Sequence, residues 1–102
     1  MPEVHYAVIH TPGPRWQPGI AVREQPGLHD HVEHYRAIFM TGKLVLGGPF
    51  TDAASGGMMV FAASVSEAEA RRFAADDPAV VSHLLDCDVR PWTWVFHGAR
   101  SP

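Results

Sequence analysis

The sequence predicts an α+β chain of ferredoxin-like type, a four-stranded antiparallel sheet with its helices on one face. Three observations lead there. Four short runs rich in β-branched and aromatic residues, VHYAVIHT, LVLGGPF, GMMVFAAS and DVRPWTWVF, recur along the chain and read as strands. Two stretches between them change to helical spacing. Their order is βαββαβ, with the second helical region in two pieces.

The first run, residues 4–11, is stopped by Pro12-Gly13-Pro14. Residues 12–27 hold four prolines and three glycines and have no helical or strand period, which predicts a long irregular loop. From Leu28 the period changes: Leu28, Val32, Tyr35 and Phe39 fall on one side of a helix, and Gly42 ends it. LVLGGPF at 44–50 predicts the second strand, TDAASGG a flexible connection, and GMMVFAAS at 57–64 the third strand. Ser66-Glu67-Ala68-Glu69 fits a capping box at the start of a helix that ends near Asp76. Asp77-Pro78 opens a short helical segment through Leu85, and residues 88–96 form the last strand.

In YAVIH, KLVLGG and MMVFAA both alternating faces are apolar, whereas a sheet with one wet face alternates apolar and polar. Two helices cover one side. The expected cover for the other is a second copy of the chain, sheet against sheet, giving a homodimer.

At 102 residues and 11.2 kDa, one domain over residues 1–102 is expected, with a single core. A hydrophobic fraction of 46% is that of a folded protein. A net charge of −3 without a Lys/Arg cluster removes the usual footprint of nucleic-acid or anionic-membrane binding, so the expected partner is a small molecule. The single Cys87 has no internal disulfide partner and no CxxC spacing, and the N-terminus lacks a basic region followed by a long apolar core. These features predict a soluble, cytoplasmic protein.

The segment LHDHVEHYRAIF concentrates three histidines and two carboxylates within six residues. On a helix they diverge: His31 lies roughly 70° from the apolar centre, His34 roughly 130°, and His29 roughly 90° on the opposite flank. No HExxH pair and no downstream ligand of recognisable spacing accompanies them, so no metal site is expected. His31 borders the buried face, where a histidine serves either as a polar packing residue or as a general base near neutral pH. His29 and His34 read as solvent-side or pocket-rim residues.

The carboxylate candidates are Asp76 and Asp77. Asp77 before Pro78 has a purely structural role available, as N-cap of the short helix, and one oxygen remains to orient His31. Trp92, Trp94 and Phe96 alternate on one face of the last strand, as core or dimer interface; Tyr6, Phe50 and Trp92 are also candidates for the walls of an apolar pocket. Gly47 and Gly48 lack a nucleotide-binding context, Cys87 shows no thiolate activation, and Ser64 and Ser66 read as helix-start residues.

The ordered set formed by His31, Gly42-Lys43-Leu44, Gly47-Gly48-Pro49-Phe50, Gly56-Gly57, Ser66 through Ala70, Ala75 through Val80 and Val89-Arg90-Pro91-Trp92 resembles the YciI-like (YCII-related) family. The match covers residues from about Leu28 to Phe96, with a plausible first strand before it. The resemblance implies a dimeric α+β barrel, the superfamily that also includes muconolactone isomerases and cofactor-free monooxygenases. It further implies a His–Asp dyad beside the sheet, the helix histidine falling on His31 and the aspartate before proline on Asp77. Some members carry a serine at the start of the third strand, where this chain has Met58, and the loop at 12–27 is longer than in the shortest relatives.

The leading expectation is a small cofactor-independent enzyme performing proton transfer, as a lyase or isomerase, on a cyclic or aromatic-derived substrate. His31 and Asp77 would be catalytic, and Tyr6, His34, Phe50 and Trp92 would contact substrate. The alternatives are a non-catalytic domain that holds a hydrophobic metabolite, and a cofactor-free monooxygenase.

Overall fold

A computed structural model describes residues 3–98, so the reading of one domain over 1–102 extends past the described residues at both ends. The elements are β1 (Val4–Pro12), a 3₁₀ turn (Val22–Glu24), α1 (Leu28–Met40), β2 (Leu44–Pro49), β3 (Gly57–Phe61), α2 (Glu67–Asp76), α3 (Pro78–Val81) and β4 (Leu85–Thr93). The four strands form one antiparallel sheet in the order β2-β3-β1-β4, with α1 and α2 packed on one face. This is the ferredoxin-like α+β arrangement. No helix among the described residues is long and apolar enough to cross a membrane.

Strand parity divides the sheet. Val8 pairs with Val89, His10 with Cys87 and Tyr6 with Pro91, and all three β1 side chains face the helices. There Val8, Phe61 and Val89 meet Tyr35 and Ile38 of α1 and Ala70 and Ala74 of α2 in the main core. The outward positions of β1 and β3 are His5, Ala7, Ile9, Met58 and Val60, whereas β4 presents Asp88, Arg90 and Trp92. The outer face is therefore apolar over its centre and polar along β4, less uniform than the central strands suggest by themselves.

Several boundaries differ from the sequence reading for identifiable reasons. The last strand runs over 85–93 rather than 88–96, because its pairing with β1 begins at Pro12–Leu85 and ends at Val4–Thr93. Trp94 and Phe96 thus lie beyond it, and Trp94 folds back to stack on His5 with ring centroids 3.8 Å apart. The third strand stops at Phe61, and α3 stops at Val81, after which Leu84 and Leu85 are buried in a second apolar cluster with Ala79. The loop at 12–27 contains the 3₁₀ turn. Its path is fixed by the buried Gln25 amide, which accepts from Gln17 N at 2.9 Å and donates to the carbonyls of Gln17 and Ile20 at 2.8 and 3.1 Å.

The first helix is rotated by roughly 60° from the predicted face. Its buried residues are His31, Tyr35 and Ile38, while Val32 and Phe39 are 39% and 53% exposed. Hydrophobicity alone put Val32 and Phe39 in the core; the sheet instead receives two polar-tipped aromatic side chains, and the displaced apolar residues border a cavity.

Gly56 joins the β2–β3 connection to the sheet with φ +82°, and a Cβ there would collide with the His10 carbonyl. Gly56→Ala is expected to cost more than about 1 kcal/mol, from both left-handed strain and this clash. Urea denaturation of the variant against the parent chain checks it, with an unchanged midpoint as the contrary result.

Candidate functional site

Pro78 shapes the site through local sterics. A proline excludes its predecessor from helical ψ, so Asp77 leaves α2 at φ −59°, ψ 120° and separates α2 from α3. This bend turns the Asp77 side chain inward, where it is fully buried. Its two oxygens have separate tasks: Oδ1 accepts from Ala79 N at 2.9 Å, capping α3, and Oδ2 lies 2.6 Å from His31 Nδ1.

Burial opposes the charge on Asp77, yet the imidazoles of His10 and His31, the His31 charge and the Ala79 N–H together outweigh it. They hold the carboxyl well below the usual carboxylate range. An ionised carboxylate only accepts, so the proton of the 2.6 Å contact belongs to His31 Nδ1. In neutral His31 the Nε2 then carries a free lone pair. His31 itself is 7% exposed and forms part of a cavity wall.

His10 reaches the same carboxylate from β1. Its Nε2 is 3.5 Å from Asp77 Oδ2, too long to complete a hydrogen bond, and neither of its ring nitrogens has a partner among the described residues. The ring is 2% exposed and meets His31 edge-on, with centroids 5.0 Å apart. Tyr35 completes the group, edge-on to both histidines, with its hydroxyl buried and without a partner among the described residues. Burial, then the charges of Asp77 and Cys87, push its phenol upward, so it remains a donor. Burial also raises the Cys87 thiol, aided by Asp77, Asp86 and Asp88, which keeps it an unreactive thiol.

The cavity beside these groups has a volume of about 790 Å³, within the range of small-molecule sites. Its apolar wall includes Trp16, Leu28, Val32, Phe39, Met59 and Leu85, and the glycine pairs 47–48 and 56–57 present bare backbone to it. Tyr6, His34, Phe50 and Trp92 are not among its lining residues. Parity places Trp92 on the outer face of the sheet, 44% exposed. Tyr6 faces the helices but packs against the main core, and Phe50, 43% exposed, follows the end of β2. His34 Nε2 donates to the Phe73 carbonyl at 2.7 Å and ties α1 to α2.

Sequence reasoning missed His10. Its signal was a histidine in register with Val8 on the helix-facing side of an apolar strand. His10, His31 and Asp77 also place ligand atoms within 4.8 Å of one another, a two-histidine, one-carboxylate set suited to a divalent transition metal. The three histidines of α1 do not converge in this way. Ligands on one zinc ion lie roughly 3.3 Å apart, however, so seating an ion here requires the 2.6 Å His31–Asp77 contact to widen and its proton to leave.

No protein-family model and no curated protein matches the sequence. Among solved structures, the chain is similar to 5-chloro-2-hydroxyhydroquinone dehydrochlorinase from Burkholderia phenoliruptrix AC1100, in complex with 2,5-dihydroxybenzoquinone. The two share 21% identity at a TM-score of 0.59, over 92% of this chain and 95% of the other. This likeness establishes the fold.

The strengthened acidity of Asp77 makes the stability of the fold depend on pH. Its contribution to stability is complete above the ordinary carboxylate value of about 3.9 and is lost progressively as the pH falls below it toward the native value. Asp77→Asn, which keeps a capping oxygen, is expected to flatten this acid limb. Asp77→Ala is expected to cost about 2–4 kcal/mol at neutral pH, through the cap and the charge-assisted bond together. Urea denaturation at pH 3 and pH 6 distinguishes these outcomes from a carboxylate of ordinary acidity, for which the parent and Asp77→Asn would share one pH profile.

Proposed function

We propose that this protein is a cofactor-independent proton-transfer enzyme of lyase or isomerase type, acting on a hydroxylated cyclic substrate. The observation that carries the reading is the buried 2.6 Å contact between His31 and Asp77 on the wall of a ligand-sized cavity. The likeness to a dehydrochlorinase named for a chlorinated hydroxyhydroquinone supports the substrate class. The ordered motifs around His31 and Asp77 support kinship with YciI-like proteins.

In this mechanism Asp77 fixes the His31 tautomer, leaving Nε2 to accept a proton from a ring hydroxyl. The O–H bond pair becomes the new carbonyl π bond, and the displaced ring pair takes a proton at carbon, giving the keto tautomer. The imidazolium formed on His31 is stabilised by the ionised Asp77 throughout. Where the carbon that takes the proton also bears a leaving group, a proton is abstracted from a second, conjugated ring hydroxyl. That O–H pair becomes a carbonyl π bond and expels the leaving group with its bonding pair, and the net change is loss of HX. Where none is present, the reaction is an isomerisation. His31 alternates between base and acid, and no external oxidant is consumed.

We place the enzyme in a sheet-to-sheet homodimer. In support, Ile9 and Met58 are paired and half-buried on the outer face, and Leu46, paired with Val60 on the same side, is 53% exposed. Burying such a patch is favourable at about 25 cal/mol per Å².

With 5-chloro-2-hydroxyhydroquinone as test substrate, His31→Ala and Asp77→Asn are each expected to lower kcat by about 100-fold or more. Chloride release and ultraviolet absorbance follow the reaction, and full turnover by both variants would defeat the dyad mechanism. Sedimentation at micromolar concentration is expected to give a dimer, shifted toward monomer by Leu46→Lys; a monomeric parent chain is the opposing result.

A further inference from the structure

The cavity has a charge character opposite to that of the chain. The protein carries a formal charge of −3 with eleven acidic residues, yet no aspartate or glutamate lines the cavity among the described residues. Arg23, Arg36, His10 and His31 do. Asp77 is withdrawn behind the two imidazoles and is itself fully buried.

The two arginines differ in availability. Arg36 is paired with Glu33, its Nε donating at 2.9 Å. The other lysine and arginine ion pairs among the described residues use Lys43 and Arg71, which leaves Arg23 without an acidic partner. Arg23 lies on the 3₁₀ turn whose entry and exit are held by the Gln25 amide, so the turn is a built feature of the loop. Its guanidinium offers a planar fork suited to two oxygens of one anionic group.

His10 supplies the independent sign of a ligand. Burial of an imidazole whose nitrogens complete no hydrogen bond among the described residues, Nε2 standing 3.5 Å from Asp77 and Nδ1 free, is unfavourable. A polar ligand atom entering the cavity can satisfy one of them.

We infer that the cavity takes a ring-bearing organic anion, its acidic group held by Arg23 and a ring oxygen presented to His10 and His31. This rests on the reading of the cavity as the substrate site and adds the charge of the ligand and the residue that selects it. Arg23 is here a specificity-determining residue, outside the proton-transfer step. The apolar wall formed by Trp16, Leu28, Val32 and Phe39 receives the ring, while the arginine charge compensates removal of the acidic group from water.

The test compares 4-hydroxybenzoate with its uncharged methyl ester by isothermal titration against the full chain at low salt. The acid is expected to bind about tenfold or more tightly than the ester, and this preference should shrink as salt is added. Arg23→Gln should bring the two probes to similar affinity, whereas Arg72→Gln, on the exposed side of α2, should preserve the difference. The ring resonances of His10 and His31 should move on saturation with the acid. Equal affinity for acid and ester, a preference unchanged in Arg23→Gln, failure of both probes to bind, or unmoved histidine resonances would each overturn the inference. Selective binding of the acid without turnover of any hydroquinone would defeat the catalytic reading alone. Turnover by a chain indifferent to the acid group would defeat the anion site alone.

Discussion

The buried Asp77 carboxylate is the constraint on which the site depends. Removing an ionised carboxylate from water is unfavourable by several kcal/mol unless its oxygens are matched, and here each oxygen has a partner. Oδ1 closes the first turn of α3 through Ala79, and Oδ2 holds His31 on α1. One side chain therefore fixes the break between two helices and the rotation of a third. Replacing it changes local structure and chemistry together, which is why Asp77→Asn, with its capping oxygen preserved, isolates the charge better than Asp77→Ala.

The same constraint explains the orientation of α1. An amphipathic helix with Val32 and Phe39 available would bury them against the sheet if apolar area alone decided. Instead His31, Tyr35 and Ile38 face inward, because the Asp77 charge and the carbonyl of Phe73 offer His31 and His34 polar partners inside the fold. Val32 and Phe39 are then free to border the cavity. What hydrophobic burial gives up in the core reappears as the apolar wall of the cavity, and polar satisfaction at the helix–helix contact selects this rotation.

The arrangement around Asp77 is incompletely satisfied. His10 comes close without completing a bond, and the Tyr35 hydroxyl has no partner among the described residues. Native interiors seldom leave such groups unmatched, and those that do commonly adjoin a ligand or a reacting centre. Proton transfer and anion binding, as proposed, draw on different parts of this environment: the first on the matched pair His31–Asp77, the second on His10 and Arg23.

Much of the fold was legible in the sequence because it rests on local rules. The strand runs, the capping box at Ser66, realised as Ser66 Oγ accepting from Glu69 N, and the proline after Asp77 follow from sterics and hydrogen bonding within a few residues. The resemblance to YciI-like proteins added the pairing of His31 with Asp77, forty-six residues apart, which helical periodicity cannot supply. The tertiary structure alone decided the rest. Strand parity and register placed His10 beside that pair and sent Trp92 to the other face. The loop fold brought Trp16 and Arg23 to the cavity in place of Tyr6 and Phe50. A sequence records which groups a chain carries and how each short segment prefers to bend; which distant groups share one small volume depends on the packing of all segments at once.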